Sequence, residues 1–108
     1  MQEYRSNPRV RYPVDVKLLV SEQESHGRMR DLSPSGAFVE VEGAALGAIA
    51  LGQLVRLRFA LEPLGVTEFD AYVRWTSDQG AGLHFANPTA KQTSALIALL
   101  KTALMKAV

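Results

Sequence analysis

Cysteine is absent from the 108-residue chain, which excludes disulfides, thiolate nucleophiles and cysteine-ligated metals together. That absence fits a reducing compartment, and a cytoplasmic location is expected. An excess of charge of one sign is lacking too: 12 Lys and Arg stand against 11 Asp and Glu, for a formal net charge of +1. Proteins that grip nucleic acid through its phosphates carry a basic excess on one face, so nucleic acid is not an expected partner. Long hydrophobic runs are missing. The longest small-apolar stretch, Ala44 to Leu51, is interrupted by Gly47 and falls far short of the roughly 20 residues a membrane helix needs. The segment Met1-Gln2-Glu3-Tyr4-Arg5 has no apolar run of signal-peptide type. Histidine is limited to His26 and His84, with no ligand cluster around either. Nothing has the form of a nucleophile elbow, and neither a metal site, a cofactor nor an enzyme is expected.

What the chain does have is a hydrophobic fraction of 47%, ordinary for one globular domain. Val14, Val16, Leu18 and Val20 alternate with Asp15, Lys17 and Leu19, the period of a half-buried strand. Pro13 sits at the start of that strand, where no ladder donor is lost. Glu22 to Gly27 reads as a polar turn. Arg28 to Leu32 reads as a short strand, and Ala37 to Val41 as another. The loop from Glu42 to Gln53 spaces Gly47 and Gly52 as in a phosphate-binding P-loop. Gln53-Leu54 stand where that motif needs Lys and then Ser or Thr, so that function is rejected. Leu54 to Glu62, Thr67 to Thr76 and Gly82 to Phe85 complete the strands. Asn87-Pro88 is an N-cap followed by proline at the first helical position. Apolar residues at three- and four-residue steps, Leu96, Leu99, Leu100, Ala103 and Leu104, then predict an amphipathic helix over residues 88–107.

Two polar clusters carry recognisable chemistry. Arg5 and Arg9, in Arg5-Ser6-Asn7-Pro8-Arg9, present planar forks that pair with guanine O6 and N7 or with phosphate. Asp31-Leu32-Ser33-Pro34-Ser35-Gly36 offers a carboxylate for guanine N–H groups and a Ser33 hydroxyl. Gly36 there permits positive φ and close ligand approach. Taken alone, the second cluster is ordinary turn chemistry, and the first is an exposed terminal arm. Arg11 either supports phosphates or faces solvent. Trp75 shares a strand face with Phe69, Ala71 and Val73, so core packing is expected, with stacking on a base as the alternative.

Together, Arg5-x-x-x-Arg9 followed by Asp31-x-Ser33-x-x-Gly36 resembles the PilZ domain family, whose signatures are Arg-x-x-x-Arg and Asp/Asn-x-Ser-x-x-Gly. Ala71-Tyr72-Val73-Arg74-Trp75 and Gly80-Ala81-Gly82-Leu83-His84-Phe85 are similar to its closing strands. The resemblance implies a mainly β fold: a six-stranded antiparallel barrel over residues 12–86, with a flexible arginine-bearing arm at 1–11 and the C-terminal helix. It implies binding of the bacterial second messenger cyclic di-GMP, with Arg5 and Arg9 on guanine and phosphate. Asp31 and Ser33 would contact a guanine, and Gly36 would shape the turn. Tyr4 stands where members that hold a stacked ligand pair often carry another Arg; its ring is suited to base stacking. A receptor of this kind signals through an effector protein, here unidentified. The alternative is an interaction module of the same fold, without nucleotide, in motility or pilus assembly.

Overall fold

The computed structural model describes residues 9–106, and in it the apolar alternation closes into a barrel. The strands are β1 (Val10–Arg11), β2 (Asp15–Val20), β3 (Gln23–Leu32), β4 (Gly36–Val41), β5 (Leu54–Leu61), β6 (Gly65–Thr76) and β7 (Gly80–Ala86). All their pairings are antiparallel. β3 pairs with β2, β2 with β5, β5 with β6, β6 with β7, β7 with β4, and β4 returns to β3. The expected six-stranded barrel is therefore present, and closure leaves no free sheet edge in the ring.

β1 stands outside that ring. Val10 pairs with Leu32 and Arg11 with Asp31, so β1 continues the line of β2 along β3 beyond the break at Pro13. The arm expected at residues 1–11 thus has its last two residues in the sheet. The polar stretch at 22–27 also differs from its expected form. The turn is only Ser21-Glu22, both at positive φ (50° and 68°), the geometry of a tight hairpin turn. Gln23 to Gly27 instead pair with β2 as strand, exposing their polar side chains.

Inward side chains fill the barrel. Met29, Leu32, Val39, Leu57, Leu61 and Ala71 are fully buried. Phe69 stacks between Phe59 and Phe85, with ring centroids 5.5 and 4.4 Å away. In the connection from β4 to β5, a short helix, α1 (Gly43–Gly47), precedes the buried Ile49. Tyr12 donates its hydroxyl to the Ala60 carbonyl at 3.0 Å. Burial, with a smaller contribution from Glu62, raises that hydroxyl above the ordinary tyrosine pKa.

α2 (Ala90–Lys106) packs Ala95, Leu96 and Leu100 inward. Its start is not the expected Asn87-Pro88. Asn87 takes positive φ (48°), and Thr89 caps instead: the Gln92 N–H donates to Thr89 Oγ1 at 3.1 Å, and the Thr89 N–H donates to Gln92 Oε1 at 3.0 Å. This reciprocal box satisfies two orphan donors at once. The Gln92 amide also donates to Thr67 Oγ1 (3.0 Å) and the Glu68 carbonyl (2.6 Å), which ties the first turn of α2 to β6. No described helix is long and apolar enough to cross a membrane.

Candidate functional site

Ser33 builds the turn from β3 to β4. Its N–H donates to the Gly36 carbonyl at 2.8 Å. Its hydroxyl accepts from the N–H groups of Gly36 (3.1 Å) and Ser35 (3.3 Å). Ser33 is buried, so this hydroxyl holds the turn from inside, where a contact with a base was expected. Gly36 takes part in the turn's hydrogen bonds, but not at the positive φ expected of it. A Cβ there would lie 2.0 Å from the Leu83 carbonyl oxygen; glycine is needed for the approach of β4 to β7.

Two β-bulges flank this turn. In β3 the register passes from Met29–Val39 to Asp31–Phe38, leaving Arg30 as the extra residue. In β6 it passes from Val73–Leu83 to Trp75–Gly82, leaving Arg74 as the extra residue. Both bulges fall at one level, because Phe38 and Gly82 are themselves partners. A single row therefore runs Asp31, Phe38, Gly82, Trp75 across β3, β4, β7 and β6.

A bulge shifts the alternation of the side chains that follow it. Val73 is buried, yet Trp75 is 45% exposed, which overturns the expectation of core packing. Gly82 makes room for the indole: a Cβ on it would sit 2.2 Å from Trp75 Nε1. Trp75 reaches across β7 to stack on Phe38, with ring centroids 5.1 Å apart and planes 8° from parallel.

At the other end of the row, Arg9 Nη1 is ion-paired with Asp31 Oδ1, both side chains being partly exposed. Arg9, Ser35, Gly36, Arg74, Trp75 and His84 line an open pocket of about 430 Å³. A larger concavity of about 520 Å³ near His26 and Arg28 lacks a stacking surface of this kind, and its Arg28 is already held by Asp15 at 2.8 Å. Of the residues expected at the site, the structure brings Arg9, Asp31, Gly36 and Trp75 together. Ser33 lies beneath the surface, and Arg11 is exposed, opposite Asp31. Arg5 and Tyr4 lie outside the described residues. Phe38, Arg74 and His84 were not anticipated. The outward alternation of β6 marks Arg74, but the bulge that sets it beside Trp75 has no local sequence signal. Among the described residues, no group of three His, Asp or Glu could hold a metal ion.

The sequence model of the PilZ domain matches residues 3–102. The chain belongs to the PilZ domain family. Comparison with curated protein sequences finds no match. Among solved structures, this PilZ domain is similar to the PilZ domain of YcgR from Escherichia coli, solved with c-di-GMP. The TM-score is 0.74 at 17% identity, covering 94% of this chain and 92% of that one. It is similar to the PilZ domain of CeSA from a cellulose-synthesizing bacterium, with TM-score 0.68 at 18% identity over 85% and 93% of the two chains. It is also similar to the Bacillus subtilis inhibitor of motility MotI/DgrA, with TM-score 0.72 and 22% identity. There the match covers 95% of this chain and only 50% of the other. At these identities the likeness is one of fold. PilZ domains are binding and adaptor modules.

Proposed function

We propose that this PilZ domain is a cyclic di-GMP receptor that signals through a protein partner and has no catalytic output. The observation that carries the reading is the row across four strands. It sets the Arg9 guanidinium, paired with the Asp31 carboxylate, at one end of an open pocket and the exposed Trp75 indole, stacked on the half-buried Phe38, at the other. Each part has a use for a guanine nucleotide. A purine stacks on the indole, Asp31 accepts from guanine N–H groups, and Arg9 takes phosphate or the guanine O6 and N7 edge. The two complete signatures and the fold shared with a c-di-GMP complex support the same ligand.

The Arg9–Asp31 pair is the first thing a ligand meets. Partly exposed ion pairs of this kind contribute about 1 kcal/mol or less, so an anionic ligand exchanges Arg9 from carboxylate to phosphate at little cost. Arg5 enters with the rest of the arm, and Ser33 contributes by fixing the turn that aims Asp31. Ordering of the arm over the barrel creates or hides the partner surface. Calorimetric titration with c-di-GMP tests the reading: saturable heat is expected, and Arg9→Ala weakens binding by about 1–3 kcal/mol. No heat at micromolar concentrations refutes the receptor, and an unchanged affinity in Arg9→Ala moves the site elsewhere.

A further inference from the structure

Resting on the nucleotide reading above, we propose that Arg74 is a second anion-binding residue of this pocket, which therefore takes a ligand with two phosphates rather than a mononucleotide. The β6 bulge brings Arg74 there. As the extra residue between Val73 and Trp75 it is exposed like Trp75, and both line the pocket that Arg9 enters from the far side.

Its charge is uncommitted. Arg28, Arg30, Arg56 and Arg58 each lie within ion-pair distance of a carboxylate; among the described residues Arg74 has no such partner. A free guanidinium beside an aromatic face is a fork for phosphate.

Spacing then selects the ligand. Arg9 is held over β3 and Arg74 projects from β6, with β4 and β7 between them. Three inter-strand steps put the backbone of Asp31, which holds the Arg9 guanidinium, about 14 Å from that of Arg74 along the sheet, with Phe38 and the Trp75 indole lying in the interval. A mononucleotide has one phosphate beside one base and satisfies one arginine. A cyclic dinucleotide carries phosphates on opposite sides of its ring and reaches both.

The test is calorimetric titration of the full chain, Arg74→Ala, Arg74→Lys and Arg9→Ala with c-di-GMP and with GMP, each variant also melted thermally. Arg74→Ala is expected to bind c-di-GMP about tenfold to a hundredfold more weakly, with GMP binding and melting temperature unchanged. Arg74→Lys, which keeps the charge and loses the fork, falls between. If Arg74→Ala matches the unaltered chain while Arg9→Ala does not, the proposal fails and the receptor reading stands. Equal losses for both nucleotides refute the two-phosphate selection. Should Arg74→Ala melt early, Arg74→Lys decides, and undiminished c-di-GMP affinity in it overturns the fork. Absence of c-di-GMP binding by the unaltered chain removes the receptor reading and this proposal with it.

Discussion

At position 82 a Cβ would fall 2.2 Å from Trp75 Nε1 and 2.4 Å from Cε2. Both atoms belong to a rigid indole, which has no flexible end to bend aside. Gly82→Ala is therefore expected to push Trp75 off Phe38 and into water while the barrel stays folded. Trp75 is the only tryptophan of the chain, so its emission reports the change directly. A red shift is expected with an unchanged far-ultraviolet spectrum, and c-di-GMP affinity should fall by about 1–3 kcal/mol, as for loss of a stacking ring. Unshifted emission would mean that Gly82 does not position the ring. The same residue shows what sequence could and could not convey. Glycine at 82 and tryptophan at 75 are both visible in the chain, but their contact depends on a register seven residues apart and on one extra residue in β6. Simple alternation carries Trp75 inward with Phe69, Ala71 and Val73, and only the bulge turns it out.

Elements were legible where the signal is periodic. Strands β2, β4 and β5, and β6 as far as Val73, follow their apolar alternation closely, because one face of each meets the core. β3 was read short, since Gln23 to Gly27 are polar and only their pairing with β2 makes them strand. The helix was legible in length, while its start was displaced by two competing caps. Asn87-Pro88 is a strong local pattern, but Thr89-Ala90-Lys91-Gln92 forms a reciprocal box and also ties Gln92 to β6. Thr89→Ala should therefore destabilise the protein by about 1 kcal/mol, a fall of roughly 4–8 °C in a melt. Asn87→Ala would produce that loss instead if Asn87 were the cap.

For the whole molecule, the two signature residues Arg9 and Asp31 stand 22 positions apart in the chain, and the pairing of β1 with β3 brings them into an ion pair. A ligand that binds only the folded barrel raises its stability by mass action, about 2.7 kcal/mol at a hundredfold excess over its dissociation constant. Thermal melts with saturating c-di-GMP should rise accordingly. At the same ligand concentration, the rise should shrink sharply in Arg9→Ala. An equal rise in both proteins would place the ligand elsewhere on the barrel.

Each strand of the ring is hydrogen-bonded on two sides, whereas β1 hangs from β3 by two residue pairs, Val10–Leu32 and Arg11–Asp31. In mechanical terms the barrel is a rigid drum and β1 a strip of tape along its wall. A pull on the N-terminus loads Arg9 and then peels β1, reaching Pro13 before any stave of the drum is strained. Anything that tethers that end thereby acts on the jaw that holds Asp31, while the aromatic row on the drum wall keeps its shape.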